Sequence, residues 1–153
     1  MKKKIYLAGP MSGRPNFGRD AFWHINSFFM DKTYNQLPDI AVINPAHLPI
    51  GLEVGEYMEI CLPMVKVANC LFMLPGWEDS KGANAEMALA KVHRHTIFEV
   101  QFSVYDGTDT GYFENHPITD SIIFDHPING IREKIMLTVL HAGGYGKPTI
   151  KDF

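Results

Sequence analysis

At 153 residues, with 46% hydrophobic and 20% charged residues, the chain fits one domain and can bury a sizeable core. A net charge of −3 argues against a nucleic-acid polymer as partner, whereas a small anionic metabolite needs only local donors. Cys61 and Cys70 suggest no disulfide framework, and no segment approaches the roughly 18 apolar residues that span a bilayer. The start, MKKKIYLAGP, imitates a secretory leader but is broken at Gly9-Pro10, so the expectation is a soluble, cytoplasmic protein.

Ile5-Tyr6-Leu7-Ala8, closed by Gly9-Pro10, reads as a buried strand. From about Gly18 to Asp31, Ala21, Phe22, Ile25, Phe28 and Phe29 recur at helical spacing. Ala41-Val42-Ile43 is a second strand, stopped by Asn44-Pro45. A second helix is expected from Glu53 to Ala68, with Met58, Leu62, Val65 and Val67 inward and a kink at Pro63. Cys70 to Leu74 is wholly apolar, as befits a strand covered on both faces. A third helix runs from about Gly82 to His93, and Thr96 to Val100 begins a fourth strand.

The alternation then fades. Residues 105–127 hold two His-Pro pairs and one apolar run, Ile122-Ile123-Phe124, and a loop of that length suggests function or an oligomer contact. The recurrence of Ile131, Ile135, Val139 and His141 predicts a helix over about 129–142. Gly143-Gly144 stops it, and Lys147 to Ile150 offers a last strand. The whole reads as an α/β chain with a Rossmann-like, doubly wound parallel sheet: a single domain over 1–153, with a core to 104 and a C-terminal extension over 105–153.

In such a sheet, ligands bind beyond the carboxyl ends of the strands. Three segments meet there: Gly9 to Arg14, Asn44 to His47, and Pro75 to Glu86. The first supplies the Ser12 hydroxyl, the Arg14 guanidinium and backbone N–H groups near Gly9. The last supplies Ser80, Lys81, Gly82 and a helix N-terminus, whose N–H groups and dipole favour an anion. Together Ser12, Arg14, Ser80 and Lys81 suit a phosphate, with Glu86 one turn deeper. A helix N-terminal acid explains Glu86 equally well on dipole grounds alone. Trp77 covers a ligand or caps the sheet. Tyr6 packs its ring in the core with its hydroxyl near the pocket, and Asn44 ends a strand or borders the site. His93, His95, His116 and His126 lack zinc-type spacing, so no metal site is expected.

The stretches IYLAGPMSGRPNFGRDAF, INPA and LPGWEDSKGANAEMALA resemble the nucleoside 2-deoxyribosyltransferase superfamily over about residues 4–100, and most closely a branch common in phages and prophages. That resemblance implies Glu86 as a nucleophile on the anomeric carbon of a deoxyribose, forming a glycosyl-enzyme intermediate. It implies Ser80 as a holder of a 5′-phosphate, as in the deoxynucleoside 5′-monophosphate N-glycosidases, with Ser12, Arg14, Gly9 and Gly82 around the phosphate and Trp77 and Asn44 bordering base or sugar. It implies no organic cofactor, a small-molecule nucleotide as partner, and a homo-oligomer.

Two positions depart from the superfamily's pattern. Cys61 and Asn69 stand where relatives often carry aspartates, the first of which helps protonate the leaving base. Glu56, Glu59 and Asp79 are the alternative acids. A non-catalytic nucleotide-binding or sequestering protein, or a partner-binding role carried by the tail, are the rival readings.

Overall fold

The computed structural model describes residues 3–30, 40–105, 121–128 and 131–143, with side chains described over 3–30, 40–101 and 135–143. The apolar runs are its strands: β1 (Lys3–Ala8), β2 (Ile40–Ile43), β3 (Cys70–Met73), β4 (Thr96–Tyr105), β5 (Ser121–Ile128) and β6 (Ile131–His141). They form one sheet in the order β2-β1-β3-β4-β6-β5. The first four lie parallel, and the antiparallel β5–β6 hairpin is added at the far edge of β4.

Three helices cover the two faces. On α1 (Arg19–Met30), Phe22, Ile25, Phe28 and Phe29 form the buried stripe that the 3.6-residue repeat requires. They pack with Ile5, Leu7, Phe72 and Phe98 into one half of the core. Phe72 links neighbouring layers, its ring 5.2 Å from Phe29 and 5.6 Å from Phe98. Full burial of such a ring contributes on the order of 2–3 kcal/mol. The opposite face is covered by α2 (Val54–Val67) and α3 (Lys81–Val92), which close the second half of the core around Tyr6, Leu71, Met73 and Ile97. With helices on both faces, the fold is doubly wound α/β.

Local chemistry sets the helix starts. Glu53 and Glu56 form a reciprocal capping box at α2, in which the Glu53 N–H donates to Glu56 Oε2 at 2.8 Å. Ser80 caps α3 by accepting the Ala83 N–H at 3.2 Å. Pro63 does not end α2, which continues to Val67. Val67 itself is 56% exposed rather than inward, because it lies on the outer side of the last turn.

The helix expected over 129–142 is instead β6. A spacing of four residues fits a helical turn, but it also fits two periods of a strand. Read at period two, Ile135, Leu137 and Val139 share a face, and all three join the α1 side of the core. Flanked by β4 and β5, β6 is an interior strand whose Ile135, Met136 and Leu137 are buried. The apolar run at Ile122 falls in β5, and β4 extends to Tyr105. The last strand expected at Lys147 to Ile150 lies outside the described residues.

Candidate active site

β1 is flanked by β2 on one side and β3 on the other, so the connections leaving β1 and β3 diverge and open a crevice at their carboxyl ends. A cleft of about 460 Å³ occupies it. The β1–α1 loop contributes Gly9, Pro10, Met11, Ser12, Arg14 and Phe17 to its lining, joined by Phe22 of α1 and Pro45. One wall is the face of α2 that carries Val54, Tyr57, Met58 and Cys61. The remainder comes from Asp79, Ser80 and the start of α3 through Ala83 to Glu86.

Glu86 is the buried carboxylate of this cleft, only 6% exposed. The Tyr6 hydroxyl donates to its Oε1 at 2.6 Å. Tyr6 is fully buried in β1 and does not itself line the cleft; it reaches Glu86 from the sheet below. Burial pushes the Glu86 carboxyl from its ordinary 4.5 up to about 7, against the opposing pull of the Tyr6 hydrogen bond. The Tyr6 phenol is raised well above its ordinary 10, first by burial and then by the charge of Glu86, so it stays a donor. Cys61 lies beside this pair, and burial raises its thiol too, so it stays protonated.

At the other end are the polar groups of two loops. Ser80 accepts the Ala83 N–H through Oγ, which leaves its own hydroxyl proton free to donate. The first N–H groups of a helix have no acceptor within it, so those of Lys81 and Gly82 face outward at the open end of α3. A Cβ on Gly82 would stand 3.3 Å from the Met58 sulfur, so glycine lets α2 approach α3 closely here. Arg14 bridges the two loops: its Nη2 lies 2.9 Å from where a Cβ of Gly76 would stand, and Gly76 has φ +85. The left-handed φ of Gly76 is what favours glycine in that turn. Gly9 packs so tightly that a Cβ would fall 2.9 Å from Leu74 Cβ.

Glu86, Ser12, Arg14, Ser80, Gly82 and Gly9 therefore share one cleft. Trp77 and Asn44 do not line it. Trp77 packs on the second half of the core and donates its Nε1–H to Glu99 Oε1 at 3.4 Å. Asn44 is spent inside the fold, where its Oδ1 accepts the Ala46 N–H at 2.9 Å and its Nδ2 donates to Asn26 at 3.3 Å. Asn69 is far from the site in the topology: it accepts the Lys4 N–H at 3.0 Å at the opposite edge of the sheet. Of the acids Glu56, Glu59 and Asp79, Asp79 is the one that lines the cleft. Cys61, which stands where relatives often carry an aspartate, does line the cleft, whereas the rest of the α2 wall and Phe17 are not expected there from the sequence. Tyr57, Met58 and Cys61 repeat at one helical face, but an apolar stripe looks the same whether it faces a core or a cleft.

Among the described residues, no group of three or more histidine, cysteine, aspartate or glutamate side chains could hold a metal ion. The His93 and His95 rings stack at 5.8 Å, beyond the end of α3. No helix among the described residues is long and apolar enough to cross a membrane.

This doubly wound sheet, with its switch point between β1 and β3, has an α/β fold similar to that of a solved deoxyribosyltransferase. Its similarity to the 2-desoxiribosyltransferase from Leishmania mexicana has a TM-score of 0.50 at 17% identity, over 63% of this chain and 63% of that chain, and concerns the fold. The model of a family described as a domain of unknown function, DUF4406, matches residues 3–99, and the chain belongs to that family. No curated protein matches the sequence.

Proposed function

We propose that the chain cleaves, or transfers at, the N-glycosidic bond of a deoxynucleoside 5′-monophosphate, with Glu86 as nucleophile. The observation that carries this reading is one buried carboxylate facing the same cleft as a serine-capped helix N-terminus and an arginine-bearing loop. The phosphate would lie against Ser12, Arg14, Ser80 and the N–H groups of α3, where the helix dipole favours it. The sugar then spans toward Glu86.

In the first step, a Glu86 carboxylate oxygen forms a bond to C1′ while the bond from C1′ to the base nitrogen breaks and its electron pair leaves with the base. The base takes up a proton as it leaves, relayed from water at the open lip of the cleft, where Asp79 is part of the lining. In the second step, water attacks C1′ and gives up its proton through the Asp79 carboxylate to solvent, while the bond from C1′ to the Glu86 oxygen breaks and frees the Glu86 carboxylate and 2-deoxyribose 5-phosphate. A second base in place of water completes a transfer. Tyr6 holds the attacking carboxylate in place and steadies its charge through the 2.6 Å bond.

Purified protein incubated with each deoxynucleoside monophosphate should release free base, and Glu86→Gln should lower the rate on the order of a thousand-fold or more. Release that survives Glu86→Gln overturns the assignment. One observation favours a second reading, a nucleotide-sequestering protein: the cleft holds the neutral Cys61 thiol beside Glu86, a poor acid for a leaving base. Tight binding without base release, unchanged by Glu86→Ala, is the result that reading requires.

A further inference from the structure

The loop between β1 and α1 contains a backbone conformation that its connecting role does not require. Asn16 has φ 49 and Phe17 φ 54, two successive non-glycine residues in the left-handed region, where a bulky side chain is seldom found. The surroundings hold them there. The Asn16 amide donates to Asp20 Oδ1 at 2.7 Å, and the Phe17 N–H donates to the Arg14 carbonyl at 3.0 Å. Gly18, with φ +66, closes the turn where any Cβ would collide with the Pro10 carbonyl oxygen.

Strain of this kind persists where it places a side chain. Here it carries the Phe17 ring across to Tyr57 on the opposite wall, with centroids 5.6 Å apart and planes inclined at 38°. Both residues line the cleft. Tyr57 is anchored, its hydroxyl donating to the Pro49 carbonyl at 2.6 Å. Rings at this separation touch one another and admit no third ring between them. The pair is therefore one contiguous aromatic patch of the lining, here called the roof, and not a slot that takes a ring between its two members.

We propose that the Phe17–Tyr57 pair is the specificity element of this site, stacking on the planar base of the substrate from above and so selecting a flat aromatic aglycone. This rests on the nucleotide reading above and extends it to a surface that carries no phosphate or sugar chemistry. Because Ser12, Arg14 and Phe17 belong to one loop, the same segment would grip both ends of the ligand, phosphate and base.

The test uses the full chain in the Glu86→Gln background, so that no base is released during titration. Calorimetric binding of the four deoxynucleoside 5′-monophosphates is compared with that of 2-deoxyribose 5-phosphate, which has no base. Phe17→Leu and Tyr57→Leu keep apolar bulk but lose the flat face. Each should weaken monophosphate binding about ten-fold or more, the range of base–aromatic stacking, and leave the sugar phosphate within about two-fold. Phe17→Tyr should restore monophosphate binding, and thermal melts should show every variant folded. Equal loss for both ligands, or loss for neither, overturns the roof and leaves the nucleotide reading standing. A parent chain that binds none of these ligands removes the nucleotide reading, and the roof with it.

Discussion

Glu86 shows how burial shifts the titration of a carboxyl. A carboxyl at 6% exposure with one hydroxyl donor is held proton-rich, near the middle of the physiological range. The same shift is a stability statement. The folded chain binds this proton more tightly than the unfolded chain does, since about 7 lies above 4.5. The group's stabilising share is therefore fully present below about pH 4.5, falls as the pH rises, and is gone above about 7. Glu86→Gln keeps an oxygen for the Tyr6 hydroxyl and removes the charge. Urea unfolding at pH 8 should find the variant more stable by about 3 kcal/mol, with the difference vanishing toward pH 4. A variant no more stable at pH 8 than at pH 4, relative to the parent, would show that Glu86 is better solvated than its position implies.

At the scale of elements, the start of α3 joins a helix cap to the proposed phosphate site, and one substitution separates the two. Ser80 caps the helix and faces the cleft with its remaining proton. Ser80→Ala should cost about 1 kcal/mol of stability as a lost cap. Aspartate is as good a cap as serine, but it sets a negative charge where a phosphate is proposed to lie. Ser80→Asp should therefore melt close to the parent while losing monophosphate binding at least ten-fold, a prediction that calorimetry on the two variants checks. The elements differ in how openly the sequence displays them. β1 and β3 carry unbroken apolar runs stopped by Gly9-Pro10 and Pro75-Gly76, so both strands and the loops behind them are legible, and with them the shared place of Glu86, Ser80, Ser12 and Arg14 in one cleft. β6 is not, because Ile131, Ile135 and Val139 satisfy both periods and only pairing with β4 and β5 decides between them. Trp77 and Asn44 look like site residues from their position at the sheet edge, yet their polar atoms turn to Glu99, Ala46 and Asn26.

On the scale of the whole molecule, the family match ends at residue 99, but the sheet does not. The β5–β6 hairpin covers the edge of β4, and β6 inserts Ile135, Met136 and Leu137 at 4% exposure or less. Those three side chains contribute about 1.5–3 kcal/mol each, comparable in sum to the net stability of a typical domain. A chain ending at residue 104 should accordingly lose cooperative thermal unfolding and expose the β4 edge to aggregation. Cooperative melting of that truncation, near the parent's midpoint, would show that residues 3–99 are a self-sufficient unit. The same topology explains the position of the cleft: the connections leaving β1 and β3 separate at the switch point, and the residues they carry are brought together from distant parts of the chain.

The central claim is a bond between the Glu86 carboxylate and C1′ of a deoxyribose whose phosphate rests on the start of α3. Acid quenching of the wild-type chain during turnover with a deoxynucleoside monophosphate, followed by proteolysis and mass spectrometry, observes that bond directly. The account predicts a 2-deoxyribose 5-phosphate ester on the peptide containing Glu86 and nowhere else. Free base released with no such adduct under any quench time, or an adduct mapped to another residue, would contradict it.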